Sequence, residues 1–444
     1  MKTKLSYLLT VFFCLILASC STDEPAFTLS QNTFDNIPPE GKNLSLQIQT
    51  SGEWTATSLN KDWCSVTPAT GTGNGTISIE VSGNISKDRT GTIVIYCNGT
   101  QTNININQKA LPEGEELTYR IPVIFHVLYK DKNDLHQYIS ADRIKQVLNK
   151  VNQYYKGKTV ATGGDAGQDI NLEFYLPEND EAGNQLETPG IEYIAWDEMP
   201  IDCEAFMESK NSKILNMLWD MNKYINIMLY NFAEVEGGTI LGISHLPLST
   251  QGKNYLEGLQ AVDYTHMENS NLGYPHCVSI NTLYFDQDTP SNSYNSADAN
   301  ITLAHELGHY LGLHHAFNES SEDINADSDY CLDTPPYNRS LYEQSVMIPA
   351  YQAWQASNFD MTALQPGFLR INSLNPEQTF TSYNLMDYEI SYADRFTPNQ
   401  RERMRHVLEY SPLIPGPKRT ASTRSVAPQG VLDIPIIYKV CYMH

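Results

Sequence analysis

Residues 305–315 read His-Glu-Leu-Gly-His-Tyr-Leu-Gly-Leu-His-His, a spacing of imidazoles and a carboxylate suited to metal-assisted hydrolysis. Positions i and i+4 of an α-helix lie about 40° apart around the axis and roughly 6 Å along it, so His305 and His309 can share one ion. On a continued helix His315 would sit about 15 Å up the axis from His305, out of reach. Gly312 resolves this: a left-handed C-cap there ends the helix and turns the chain back, bringing the third imidazole to the ion. Three neutral histidines with an open fourth position describe catalytic zinc, whereas a structural zinc is fully ligated. Glu306, beside the first ligand, is placed to take a proton from the water that such an ion acidifies. His314 fails the spacing. His126, His245, His266 and His276 read as structural or surface residues.

The extended pattern His305-Glu306-x-x-His309-x-x-Gly312-x-x-His315 resembles the signature of the metzincin zinc metalloproteases. Ser382-Tyr383-Asn384-Leu385-Met386-Asp387-Tyr388 resembles their Met-turn. With Asp333-Thr334-Pro335 and the run from Phe396 to Met404, the order of motifs across residues 119–412 is similar to the pappalysin (cytophagalysin-like) branch. That resemblance implies a hydrophobic floor at Met386. It also implies a phenol at Tyr388 that can ligate zinc at rest and swing to support an oxyanion. Ile240 to Pro247 resembles the edge strand that pairs with substrate, with Ser244 at the family's Ala position. The family commonly places a Cys shortly after Met-Asp-Tyr, paired back to the Asp-Thr-Pro loop. No residue from 389 to 396 is Cys here, so Cys331 pairs elsewhere or stays a thiol, and the family's substrate-loop geometry does not carry over. Asp323, Asp327, Asp329 and Asp333 read equally as a solvated acidic loop or as a calcium site, with Asp329 and Asp333 the candidate ligands.

These residues need a scaffold, and the chain supplies two. From 27 to 108 apolar residues alternate with polar ones (Leu44, Leu46, Ile48; Ile77, Ile79, Val81; Ile104, Ile106), punctuated by glycine-rich turns, which implies an all-β, immunoglobulin-like sandwich. Trp54, Trp63-Cys64-Ser65-Val66, Gly71-Thr72-Gly73-Asn74, Asn84, Arg89 to Ile93 and Gln108 make it resemble a BACON domain. Such domains have been supposed to bind glycans, but Trp54 and Trp63 read first as packing residues. Residues 109–118 read as a linker. The next domain, 119–412, should be an α/β metzincin catalytic domain with a mixed sheet and an active-site helix. Its expected elements are a buried strand from Ile121 to Leu128, a helix capped by Ser140, strands at 171–175 and 225–230, and a helix around Ala205 to Met221. Thr397-Pro398-Asn399-Gln400 is a capping box that opens a last helix. The tail, 413–444, has no readable role.

Residues 1–20 carry Lys2 and Lys4, an apolar run and Leu17-Ala18-Ser19-Cys20, which resembles a bacterial lipoprotein signal with Cys20 as the lipid attachment site. The chain should therefore leave the cytoplasm as an outer-membrane lipoprotein, periplasmic or surface-exposed, by the pattern of Bacteroidetes. Cys64, Cys97, Cys203, Cys277, Cys331 and Cys441 would then meet conditions that permit disulfides, with fifteen complete pairings open. With 29 Lys and Arg against 52 Asp and Glu, the net charge of −23 offers nucleic acid no footprint. The expectation is a zinc-dependent endopeptidase acting on peptide or protein substrates, with Glu306 as general base. The other reading is a surface-anchored protein- or glycan-binding lipoprotein that keeps a metzincin fold but hydrolyses little or nothing.

Overall fold

The computed structural model describes residues 27–159, 167–236, 238–288, 297–318, 329–388, 390–419 and 427–443. The signal segment with Cys20, and Asp323 and Asp327, lie outside the described residues.

Period-two alternation builds the N-terminal sandwich. Lys42–Gln49 pairs antiparallel with Gly75–Val81 in a four-stranded sheet, and Arg89–Cys97 with Thr100–Gln108 in a five-stranded one. Successive side chains of a strand face opposite ways. Leu46, Ile48, Ile77 and Ile79 therefore meet Ile93, Ile95, Ile104 and Ile106 in one core. Trp54 is 4% exposed and donates its indole N–H to the Gly73 carbonyl at 3.0 Å. Its ring fills the space beside Gly71, where a Cβ would lie 2.2 Å from it. Trp63 packs on the edge of the same core, under the Arg89 guanidinium.

Residues 109–118 are not a free tether. Leu111 and Leu117, with Ile85 of the sandwich, are buried in the core of the second domain. In that domain Tyr119–Tyr129 pairs in parallel with Leu172–Tyr175 and Ile191–Ala195 on one side and with Ile225–Tyr230 on the other. Val278–Asn281 follows in parallel, then Thr239–His245 antiparallel. The inner strands are apolar on both faces because both are covered. Ile227 and Leu229 join the core that also holds the helices Ala141–Tyr155 and Ala299–Tyr310, while Met228 and Tyr230 join Cys203, Phe206 and Met207 on the other face. Ser140 and Thr397 cap their helices as expected, the latter through a capping box with Gln400.

Two sequence expectations are corrected. The helix around Ala205 to Met221 is instead two short helices, Cys203–Met207 and Ser212–Leu215. Asn211 accepts the Lys213 N–H on its side chain and restarts the helix rather than continuing one. The edge strand expected from Ile240 to Pro247 is not an edge. Tyr438–Met443 pairs antiparallel with Thr239–His245 and completes a seven-stranded sheet, so Thr239–His245 is not an edge. An exposed strand edge offers unpaired N–H and C=O groups, and this apolar run satisfies them. Leu432, Ile434 and Ile436 pack beside Leu248, Met267 and Leu272 on the way to it.

Removing the Trp54 ring should cost about 3–5 kcal/mol, the usual penalty for emptying an aromatic core position. Trp54→Ala should lower the denaturant midpoint of the sandwich while leaving metal content unchanged. Unfolding at the wild-type midpoint would show that Trp54 is not a core residue.

Candidate active site

The helix Ala299–Tyr310 starts at Asp298, whose carboxylate accepts the Asn300 N–H at 2.8 Å and the Ile301 N–H at 3.2 Å. It ends at Gly312, with φ +91°. The Gly312 N–H donates to the His309 carbonyl at 2.8 Å, and the Leu313 N–H donates to the Gly308 carbonyl at 2.9 Å. This pair of bonds is a Schellman stop, which a residue with a side chain adopts only under strain. The chain then turns back, as the spacing required, and His315 faces His309.

His305, His309 and His315 are all buried, and one ring nitrogen of each lies within 4.8 Å of the others. The Nδ1–H of His305 donates to the Leu385 carbonyl, and that of His309 to the Leu313 carbonyl, both at 2.8 Å. A donor at Nδ1 leaves Nε2 as a lone pair in a neutral ring. Burial, then the neighbouring His305 and His315, push the pKa of His309 well below its ordinary value, so the ring is neutral. Nε2 of His309 nevertheless sits 3.1 Å from Nε2 of His315. Two ligands of a tetrahedral zinc, each about 2.05 Å from the ion, are roughly 3.3 Å apart. The donor set therefore fits a small dication. His314 is turned away, edge-on to Tyr330, with its pKa lowered to about 3 by burial first of all.

Glu306 is 0% exposed, and neither carboxylate oxygen has a hydrogen-bond partner among the described residues. Burial raises its pKa well above the ordinary carboxylate value. A nearby dication would relieve that penalty. Space for it comes from the strand Thr239–His245, where a Cβ on Gly242 would lie 2.6 Å from Glu306 Oε1. Met386 lies under the helix, and a Cβ on Gly308 would meet its sulfur at 2.6 Å. The Met386 carbonyl accepts the Ala316 N–H at 2.9 Å, which ties the floor to the returning chain. Tyr388 brings its hydroxyl to 3.0 Å from His315 Nε2, with Arg339 over its ring.

The sequence reading missed what fixes this floor. Asp387, between Met386 and Tyr388, accepts from Ser382 and Tyr337 and pairs with Arg370 at 3.1 Å. Arg370 is itself 0% exposed and donates to the Gly367 carbonyl at 2.7 Å. No local pattern around residue 370 announces a partner seventeen residues on. Asp329 accepts the Cys331 N–H, and Asp333 accepts the Asn399 N–H at the start of the helix Pro398–Tyr410. No disulfide joins two described cysteines.

Residues 208–409 match the peptidase family described as pregnancy-associated plasma protein-A. That match spans less than half of the chain. Residues 52–109 match the BACON family, described as an N-terminal binding domain. An extracellular metalloprotease of Arthroderma benhamiae is 25% identical to the chain over 150 residues, which is 33% of this chain and 42% of the relative. An extracellular metalloprotease of Arthroderma gypseum is 32% identical over 79 residues, 18% of this chain and 26% of the relative. The chain thus spans less than half the length of these fungal relatives. Mature mirolysin of Tannerella forsythia, solved with a cleaved peptide, aligns at 21% identity and a TM-score of 0.43, covering 66% of this chain and 92% of that one. The match to the peptidase family covers the helix Ala299–Tyr310, residues 382–388 and all but the last residue of the helix Pro398–Tyr410.

His315→Ala should abolish tight zinc binding, while His314→Ala should retain it, as read by metal analysis after dialysis. Equal retention by the two variants would contradict the ligand set. Arg370→Leu should destabilise the peptidase domain by about 3–5 kcal/mol, because it leaves the Asp387 carboxylate buried without its cation. An unchanged melting temperature would show that the ion pair does not anchor the Met-turn.

Proposed function

We propose that this chain is a zinc-dependent endopeptidase, exported and held to a membrane by a lipid on Cys20. The fungal relatives named extracellular metalloproteases agree with export, and no helix among the described residues is long and apolar enough to cross a membrane. The observation that carries the reading is Glu306: a buried carboxylate without a partner among the described residues, beside three inward-facing imidazoles. A binding module would need no such group.

His305, His309 and His315 would hold zinc, which would polarise the scissile carbonyl and acidify the attacking water. Glu306 takes the proton from that water and returns it to the leaving nitrogen. Tyr388 places its hydroxyl to donate to the carbonyl oxygen as negative charge grows there. The substrate is an extended peptide or protein segment. Asp329 and Asp333 are the carboxylates on which calcium would sit, and the chemistry above does not require it.

Gln matches Glu in size but cannot accept and return a proton at neutral pH. Glu306→Gln should slow peptide cleavage by about 10²–10⁴-fold while leaving zinc content and melting temperature nearly unchanged. A variant that cleaves a peptide library as fast as wild type would refute the assigned base.

A further inference from the structure

We propose that Arg339 is a positioning residue for Tyr388, holding the phenol ring by its face so that the hydroxyl stays aimed at a peptide carbonyl. This rests on the zinc peptidase reading above, in which Tyr388 donates to the carbonyl oxygen.

Tyr388 stands in a box of three planar groups. The His315 ring meets it edge-on, with centroids 4.7 Å apart and planes at 66°. Phe317 lies 4.8 Å away at 64°, and itself stacks on His315 at 4.7 Å and 12°. Arg339 supplies the third side. Its guanidinium carbon is 4.2 Å from the centroid of the Tyr388 ring and 5.2 Å from that of Phe317. A cation over an aromatic face is attracted by the quadrupole of the ring, most strongly where water is excluded. The Arg339 side chain is only 14% exposed.

The guanidinium is itself fixed. Its Nε pairs with Glu343 Oε1 at 2.6 Å, four residues on. That bond uses the edge of the planar group and leaves its face to the ring. The Arg339 N–H donates to the Asn318 carbonyl at 3.3 Å, and the Asn338 side chain accepts the Leu341 N–H at 3.0 Å. Asn318 follows Phe317, so one short segment carries the aromatic wall and anchors the cation. At the far end of the phenol, the hydroxyl donates to the Val440 carbonyl, on the strand beside Thr239–His245. In this pose, then, it reaches a main-chain carbonyl. Withdrawing the phenol would part the ring from the guanidinium above it, so Arg339 penalises poses in which the hydroxyl points elsewhere. A donor aimed in advance spends nothing on reorganisation when charge develops on the carbonyl oxygen.

The zinc-loaded full chain is compared with Arg339→Met, Arg339→Lys, Tyr388→Phe and the double variant Arg339→Met with Tyr388→Phe. Each is assayed on the peptide that wild type cleaves fastest in a library, and against a phosphinic analogue of that peptide, whose tetrahedral phosphorus imitates the intermediate. Arg339→Met should lower kcat about tenfold with KM held within about twofold, and should weaken the analogue about tenfold, at unchanged zinc content and melting temperature. Arg339→Lys, which keeps the charge without the planar face, should fall between it and wild type. The double variant should be no slower than Tyr388→Phe, because without the hydroxyl Arg339 has nothing to aim. Losses that multiply in the double variant, a loss confined to KM, or wild-type kcat in Arg339→Met overturn the assignment and leave the peptidase reading standing. Should Arg339→Met fail to fold, Arg339→Gln, which keeps a donor for Glu343, takes its place in the same cycle under the same criteria. A wild type that holds zinc and cleaves no library peptide overturns both.

Discussion

Three imidazole lone pairs pointed at one another inside a protein repel unless a cation lies between them, and that constraint organises the catalytic domain. The lone pairs cannot swap roles with the opposite ring nitrogens of His305 and His309, because the Leu385 and Leu313 carbonyls hold those as donors. Those carbonyls come from different parts of the chain. Leu385 belongs to the Met-turn, and Leu313 to the turn that follows the helix stop. Each of these two imidazoles is therefore aimed by the segment that also shapes the floor or returns the chain. Affinity for an ion placed there would be set by the geometry of the surrounding loops.

Close approach carries the same logic outward. Gly308 lets the helix settle on the Met386 sulfur, and Gly242 lets the neighbouring strand pass Glu306. Both contacts would be closed by a single methyl group, so helix, floor and strand are fixed to within a fraction of an ångström by what is absent from two residues. Beneath them the Arg370–Asp387 pair is buried with Ser382, Tyr337 and the Gly367 carbonyl around it. A buried pair of this kind adds little net stability against an apolar alternative, but it penalises every arrangement of the Met-turn that separates the charges.

What could be read in the sequence was what local spacing encodes. The i, i+4 pair, the glycine stop, the Thr397 capping box and the alternation of the sandwich are short-range patterns, and each appears where it was expected. The break near Asn211 was missed because an apolar period continued across a residue whose side chain competes for the backbone. Arg370, Gly242 and the C-terminal strand were missed for another reason. Their partners lie 17, 64 and about 200 residues away, and nothing adjacent to them shows that they are paired. The run Ile434-Pro435-Ile436-Ile437 followed by Val440 was the one visible sign that the tail had a core to join.

The sandwich meets the peptidase domain through buried carbon, with Ile85, Leu111 and Leu117 in the second domain's core. A flexible tether would let the cleft sample many directions and gather substrate by its own motion. A docked module does the opposite: it behaves as a bracket. Whatever holds the N-terminal end also sets the direction the cleft faces and its height above that support. For a peptidase tethered at that end, selection among targets would depend partly on which segments can reach that fixed position, a geometric filter that acts before any side chain of the substrate is read.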